Sequence, residues 1–256
     1  VADPEGPFAD ELVQTAQFGF GYIALNPAQE PLDDPKIREA LSLVFPRAEI
    51  AGILFNGWVE PADSVLPDGM LGQDWPAVVP DQDLDAAREA IAGSRYGRAA
   101  EVPPIRIYAT GAVAGEALRA VAREELGLEI EVFDLDWFDF LDRLDSGTLP
   151  AFELYWAADF PDPEAILLAL WGSGQPDNYF GYSNPEFDAL LAEAAEETDP
   201  EQRADLYSRA SQVLADDNVV IPVYMDVQYT VVKPWVHNLV ITPIGILRLE
   251  TVQLDS

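Results

Sequence analysis

Asp159 is the residue whose surroundings in this sequence point most directly to binding chemistry. It follows an apolar run, residues 152–158, and precedes a break formed by Pro161 and Pro163. An apolar run of this length predicts a strand buried on both faces of a sheet, so the acid lies where a strand leaves the core and is partly desolvated. A carboxylate in such a position needs a cationic partner. That partner is either an arginine or a helix N-terminus of the same chain, or the positive group of a ligand.

The composition excludes several other kinds of site. The 256 residues contain no cysteine and a single histidine, His237, so thiolate sites and sites built from several histidines are ruled out. We interpret His237, which lies near a tryptophan, as a surface or packing residue rather than a catalytic base. No phosphate-binding or dinucleotide-binding glycine motif is present. We therefore expect no catalytic residue, no metal and no cofactor.

A run of five aspartates invites comparison with a calcium loop: Asp134, Asp136, Asp139, Asp142 and Asp145. An EF-hand loop needs alternating oxygen ligands with a glycine and a glutamate at fixed positions. Here Trp137, Phe138, Phe140 and Leu141, which we expect to be core residues, interrupt the acids. We interpret Asp136 as a helix N-cap and the other aspartates as a solvated helix face.

The charge balance limits the classes of partner. There are 46 acidic and 14 basic residues, which gives a formal net charge of −32. Such a field repels nucleic-acid phosphates and anionic membranes and favours cationic or zwitterionic ligands, so we expect no nucleic-acid partner. Solubility accounts for most of this charge. Two alternatives from other classes stay open: a carboxylate-based glycoside hydrolase, and an interaction domain whose acidic face docks a transporter or a basic protein.

The pattern of strands and helices indicates how Asp159 is positioned. Strands and helices alternate before it: strands at 105–109, 129–135 and 152–158, and helices at 115–126 and 137–144. This βαβαβ order predicts parallel strands in an α/β domain. Ligands of such sheets bind beyond the carboxyl ends of the strands, which is where Asp159 falls.

The flanking segments predict further elements of the same domain. After a polar lead-in, residues 1–17, we expect these elements: a strand at 18–25, helices starting at Asp34-Pro35 and spanning 47–55, 83–92, 164–171, 186–197 and 201–215, and closing strands at 219–224 and 229–232 joined by a short turn. The loop at 58–80 carries Trp58, Met70 and Trp75 as buried anchors. Asn56-Gly57 ends the second helix.

Several motifs, in order along nearly the whole chain, resemble the peptide/nickel group (family 5) of the extracytoplasmic solute-binding proteins of ABC importers. The most specific is WAADFPDP at 156–163. Others are YIALN at 22–26, DPKIREAL at 34–41, IPVY at 221–224 and VKPWV at 232–236. Each motif alone is of moderate specificity, and their order makes the resemblance strong.

The resemblance implies an α/β fold: the C-terminal lobe of a two-lobe, type II periplasmic-binding-protein-like fold, with βαβ units on a mixed sheet. Residues 1–228 would form the C-terminal solute-binding lobe, with residues 1–26 as its entry and hinge segment. Residues 229–256 would be a returning tail that completes the first lobe, which is missing from this chain.

The resemblance also implies a function, which is binding rather than catalysis. A short peptide would lie extended between the lobes, with its α-ammonium on Asp159, and the backbone of Trp156 and Ala157 would offer hydrogen bonds. Tyr155 is counted with them as a ligand-binding residue. Nickel-chelate or sugar ligands remain open. The implied partners are the peptide, the permease of an ABC transporter and the missing N-terminal lobe, outside the cytoplasm on a lipid-anchored protein.

Overall fold

A computed structural model describes residues 8–53 and 57–255 of the chain. The main strands are β1 (Leu12–Leu25), β2 (Glu60–Pro61), β3 (Ile105–Ala109), β4 (Ile130–Asp134), β5 (Ala151–Ala157) and β6 (Val220–Val231). The helices are α1 (Pro35–Val44), α2 (Arg47–Ile53), α3 (Leu84–Gly93), α4 (Val113–Val121), α5 (Trp137–Asp145), α6 (Glu164–Trp171), α7 (Pro185–Glu196) and α8 (Pro200–Asp217). A π-helical segment, Ala122–Leu126, continues α4. The tail adds four two-residue strands: β7 (Val236–His237), β8 (Val240–Ile241), β9 (Leu247–Arg248) and β10 (Gln253–Leu254).

One mixed sheet organises these elements. Its strand order is β2-β6-β1-β5-β3-β4. Strand β3 runs parallel to both β4 and β5, whereas β1 is antiparallel to β5 and β6. The βαβαβ unit and the mixed sheet expected from the sequence are thus confirmed.

Helices cover the two faces of the sheet and create two hydrophobic cores. On one face, Ile23 and Ile107 pack with residues of α1, α3 and α4. On the other, Phe20 and Phe152 pack with residues of α5, α6, α7 and α8. Two buried faces explain why the central strands are apolar at successive positions instead of alternating.

The helix starts follow from local capping. Asp34 accepts a hydrogen bond from the Lys36 N–H at 2.9 Å, and Pro35 opens α1. The same side-chain capping occurs at the starts of α3, α5, α7 and α8, with Asp83, Asp136, Asn184 and Asp199. A short acceptor before the first turn satisfies N–H groups that have no partner within the helix, which is why the sequence identifies these starts.

Two predictions about strands are wrong. β1 begins at Leu12, so residues 12–17 are not a lead-in, and β6 is continuous from Val220 to Val231 without the expected turn. The two extensions pair with each other as an antiparallel ribbon, from Leu12 opposite Val231 to Ala16 opposite Val227. Neither segment of the ribbon contributes a residue to the two hydrophobic cores, which agrees with the polar residues that interrupt both segments. The predicted domain boundary between 228 and 229 falls inside β6.

Two further predictions concern the second helix and the loop that follows it. Helix α2 starts as expected, but the predicted end at Phe55 and the turn residue Asn56 lie outside the described residues. In the loop, Met70 and Trp75 are buried as expected. Trp58 is 36% exposed and contacts the Tyr229 ring edge-on, so it is not a core anchor.

The tail lies beside the sheet rather than extending from it. Its four short strands form two antiparallel pairs, β7 with β10 and β8 with β9. The Phe18 N–H donates to the Pro243 carbonyl at 2.7 Å, and Ile241 is buried. The tail therefore folds back against the middle of β1 at Phe18, next to the ribbon formed by residues 12–16.

Candidate functional site

The carboxyl ends of the three parallel strands, β3, β4 and β5, lie at one end of the sheet, and β5 extends furthest beyond that end. Its last residue pair with β3 joins Phe152 to Tyr108, whereas β5 continues to Ala157. Within the described part of the chain, no strand lies beside residues 154–157 on that side. This stretch of β5, called the open edge below, is bordered on its other side by β1.

Backbone direction decides which residues the open edge offers. The Ala158 N–H donates to the Phe18 carbonyl at 2.7 Å, so the backbone N–H of Ala158 points toward β1. Backbone groups of successive strand residues point to opposite edges. Trp156, opposite Phe20, therefore directs its N–H and C=O toward β1, while Tyr155 and Ala157 direct theirs to the open edge. An extended ligand can add to β5 through these two residues as a further strand does.

Asp159 lies just beyond the open edge and is exposed to solvent. Its carboxylate makes no hydrogen bond or ion pair with any residue in the ranges 8–53 and 57–255. The expectation that Asp159 is partly desolvated is therefore wrong for the chain by itself. The strand before it is covered on both faces only in its first half, since Tyr155 and Ala157 are exposed.

The acid of this loop that is partly buried is Asp162. The two terminal guanidinium nitrogens of Arg203 donate to the Asp162 carboxylate, Nη1 to Oδ2 at 2.6 Å and Nη2 to Oδ1 at 3.0 Å. The Glu164 N–H also donates to Asp162 Oδ1 at 3.0 Å, and both charged side chains are about one-fifth exposed. Burial alone would raise the pKa of Asp162, but the hydrogen bonds from Arg203 and the Glu164 N–H outweigh it and lower the pKa. The internal ion pair considered for Asp159 is thus made three residues later.

Trp156 contributes its side chain to the fold rather than to the open edge. The indole N–H donates to the Ala165 carbonyl at 2.9 Å, at the start of α6. The ring is half-buried and packs against the core that contains Phe152. Trp156 thereby connects the end of β5 to α6 and helps to fix the loop that carries Asp159.

Tyr155 lies across β1 because β1 has glycines there. Its hydroxyl donates to Asp226 Oδ2 at 2.8 Å on β6, two strands away. A Cβ at Gly19 would collide with the Tyr155 hydroxyl, and a Cβ at Gly21 would collide with the Tyr224 ring. Burial first, and then the bond to Asp226, raises the pKa of Tyr155, so the phenol stays protonated. Gly19 and Gly21 of FGFGY therefore leave room for two tyrosine side chains over β1, which borders β5 on the side opposite the open edge.

Trp137 and Glu153, which line a small cavity together with Leu154 of the open edge, had no predicted role in the site. Trp137 and Phe138 are 48% and 77% exposed, so their assignment to the core was wrong; in α5 the buried residues are Phe140 and Leu144. Glu153, inside the apolar run of β5, accepts hydrogen bonds from the Ala114 and Gly115 N–H groups. The helical periodicity of the apolar residues in α5 could have identified Phe138 as exposed. No residue near Glu153 in the sequence indicates that its partners are the Ala114 and Gly115 N–H groups.

Of the aspartates in this region, Asp136 has the expected role of a helix N-cap, whereas Asp134 lies in β4 and not on a helix face. Asp136 accepts from the Phe138 and Asp139 N–H groups and caps α5. Asp134 accepts from the Gly111 N–H at 2.8 Å. Among the described residues, no group of three or more potential ligands is placed to hold a metal ion.

A larger groove lies elsewhere on the lobe. It has a volume of about 930 Å³ and runs along α4 beside α2, where Ile53 and Val113 are exposed. It approaches the carboxyl ends of the parallel strands only near Gly111 and Asp134. Because it contains no open strand and neither Asp159 nor Tyr155, we do not identify it with the ligand site.

Comparison with known proteins identifies the family. The model described as "Bacterial extracellular solute-binding proteins, family 5 Middle" matches residues 3–178, more than half of the chain. The chain belongs to this family. The resemblance seen in its motifs is thereby confirmed.

The curated relatives are binding proteins by name. The chain is 29% identical over 223 residues to the periplasmic oligopeptide-binding protein OppA of Salmonella typhimurium, covering 84% of this chain and 41% of the relative. It is 28% identical over 258 residues to heme-binding protein A of Haemophilus influenzae, covering 96% and 46%. The chain thus spans somewhat less than half the length of these relatives.

Solved structures of this kind share the fold. HbpA2 of Haemophilus parasuis superposes with a TM-score of 0.87 at 24% identity, over 96% of this chain and 50% of that one. The murein tripeptide-binding protein MppA of Escherichia coli gives 0.83 at 20% identity, over 98% and 51%. The fold is therefore that of a type II periplasmic-binding-protein-like lobe, as expected. In the described ranges, none of the helices has the length and apolar character needed to cross a bilayer.

Proposed function

We propose that this chain is one lobe of an extracytoplasmic peptide-binding protein and that it holds the N-terminal half of a short peptide. The observation that carries the proposal is the open edge of β5, which ends at the unpartnered carboxylate of Asp159. Backbone groups of Tyr155 and Ala157 pair with the peptide backbone, and Asp159 accepts its α-ammonium. A charge-assisted contact of this kind is about twice as strong as a neutral hydrogen bond.

Strand addition combined with an amine anchor explains loose side-chain specificity. The backbone of every peptide has the same donors and acceptors, and every unmodified peptide has an α-ammonium. Names of relatives agree with this chemistry, since they include oligopeptide- and di/tripeptide-binding proteins. One structure of the same fold is that of Haemophilus influenzae OppA in complex with the peptide RPPGFSPFR.

The whole protein would work by enclosure and delivery. A second lobe closes over the peptide and removes water from Asp159, which the lobe described here leaves exposed. The closed complex is then delivered to the permease of an ABC importer. This places the protein outside the cytoplasm, in the periplasm or lipid-anchored at the outer face of the membrane.

Calorimetric titration of the protein expressed from its complete gene tests the proposal. The ligands are two pools of short peptides with identical sequences, one with free and one with acetylated N-termini. We expect the free-amine pool to bind and the acetylated pool to bind far more weakly, because acetylation removes the charge that Asp159 accepts.

The other outcomes separate the parts of the proposal. Equal binding of both pools would keep the peptide as ligand and remove the amine anchor. Failure of both pools would reject the peptide, and the same protein would then be titrated with nickel chelates, sugars and haem. Turnover of a glycoside, rather than binding, would favour the hydrolase alternative.

A further inference from the structure

A small cavity borders the open edge next to the position proposed for the peptide. Its volume is about 70 Å³, and its lining includes Thr110, just after β3, and Glu153 on β5. Trp137 and Tyr224 add aromatic side chains to the wall. The cavity has room for about two water molecules, which suits the end of one side chain and not a whole residue.

The charge in this cavity is negative and only partly compensated. Glu153 Oε1 accepts from the Ala114 N–H at 3.1 Å, and Oε2 accepts from the Gly115 N–H at 2.8 Å. Those donors are the first turn of α4, whose N-terminus supplies only about half a positive charge. No basic side chain lines the cavity in the described part of the chain.

Glu153 also has unused hydrogen-bonding capacity. A carboxylate oxygen accepts about two hydrogen bonds, and each oxygen of Glu153 receives one from α4. Burial raises the pKa of Glu153, and the nearby charge of Asp134 raises it further. Both observations describe a partly buried acid for which the described lining of the cavity supplies no cationic side chain, and a desolvated charge of that kind is costly until it is paired.

We infer that this cavity is a side-chain subsite for a cationic group of the bound peptide, with Glu153 as the residue that determines its preference. The inference rests on the proposed function, because the subsite receives a side chain only when a peptide lies along the open edge. A guanidinium or ammonium entering past Thr110 reaches Glu153 between Trp137 and Tyr224. The aromatic faces add cation–π attraction to the ion pair.

A matched peptide series tests the inference in the protein expressed from its complete gene. The probes are tetra-alanine and tetra-alanine variants with a single arginine or a single citrulline at each of the four positions. Citrulline keeps the shape of arginine but has no charge, and a carbonyl oxygen replaces one terminal NH2 group, so that about three of the five N–H donors remain. Titrations are made in about 0.5 M NaCl, where long-range attraction by the acidic chain is screened.

We expect arginine to bind at least about tenfold more tightly than citrulline at one position, the net scale of a hydrogen bond to a charged group. Glu153→Gln should bring that ratio close to one. Thr110→Lys, at an exposed position, should do the same by placing a competing cation at the cavity. Glu186→Gln, the same change at an exposed residue of α7, is the matched control and should keep the ratio.

Because each ratio compares two peptides on the same protein, partial loss of stability in a variant does not change its meaning. A ratio near one at every position, with tetra-alanine still bound, overturns the inference and leaves the proposed function standing. A ratio that survives both variants also overturns it. Failure of every peptide to bind the unmodified protein overturns the proposed function and this inference together.

Discussion

Asp159 and Asp162 lie three residues apart in the same loop and have opposite environments. Asp162 is about one-fifth exposed and binds Arg203 at two points. Asp159 is exposed, and its carboxylate makes no hydrogen bond or ion pair with any described residue. The comparison teaches that an acid's role depends on whether the fold supplies its cation. Asp162 has that cation in α8, whereas in the proposed function Asp159 takes it from the ligand.

The two roles depend on each other. Asp162 fixes the loop by accepting from Arg203 and from the Glu164 N–H at the start of α6. Trp156 fixes the same segment through its bond to Ala165. A loop held at both ends presents Asp159 in one place, so less order has to be imposed when a ligand binds.

The largest effect should come from removing the outward acid. In the complete protein we expect Asp159→Asn to weaken peptide binding by about 2–5 kcal/mol, the scale for truncating one partner of a buried charge pair. Stability should change by less than about 0.5 kcal/mol, since the residue is exposed in this lobe. Calorimetry gives the affinity and urea unfolding gives the stability.

Two results would contradict this division of roles. Unchanged affinity in Asp159→Asn would show that the α-ammonium binds elsewhere. A large loss of stability would show that Asp159 takes part in the fold. Asp188→Asn is not a suitable control, because Asp188 binds Ser173 through both oxygens; Asp205→Asn changes an exposed acid of α8 and serves better.

The same loop shows what the sequence could and could not predict. The apolar run, the proline break and the helix after Pro163 depend on neighbours in the chain, and each was predicted. The pairing of Asp162 depends on Arg203, 41 residues later. Nothing near Asp159 or Asp162 in sequence distinguishes the acid that has this partner from the one that lacks it.

The open edge could not be predicted for a similar reason. Its existence depends on where β3 stops relative to β5, which is a matter of register between two strands 42 residues apart and not of either strand's composition. Gly19 and Gly21 are positions of close approach on β1. The residues that approach them, Tyr155 and Tyr224, come from two different strands and became known only from the structure.

The second largest effect should come from removing the inward acid. Asp162→Asn leaves Arg203 largely buried without its counter-ion, and we expect unfolding to become about 3 kcal/mol easier, the lower end for breaking a buried pair. Urea unfolding of the complete protein measures this. Adding Arg203→Met to the same variant should recover part of the loss, because the unpaired charge is then removed. No recovery would mean that Asp162 stabilises the loop through the Glu164 N–H rather than through the ion pair.

The smallest effect is a difference in pH dependence between Asp162 and Glu153, the other partly buried acid near the site. The pKa of Asp162 is lowered in the folded state, so its contribution is present above the unfolded pKa of about 4 and is lost as pH falls through the folded value. The pKa of Glu153 is raised by burial, so its contribution is present below the unfolded pKa of about 4.3 and is lost as pH rises through the folded value.

The stability of the unmodified protein relative to Asp162→Asn should therefore fall on acidification, whereas its stability relative to Glu153→Gln should rise. Urea unfolding of the three proteins between about pH 7 and about pH 2 measures both slopes. We expect opposite slopes because Arg203 neutralises Asp162, whereas only the first turn of α4 compensates Glu153. Slopes of the same sign would contradict this difference between the two carboxylates.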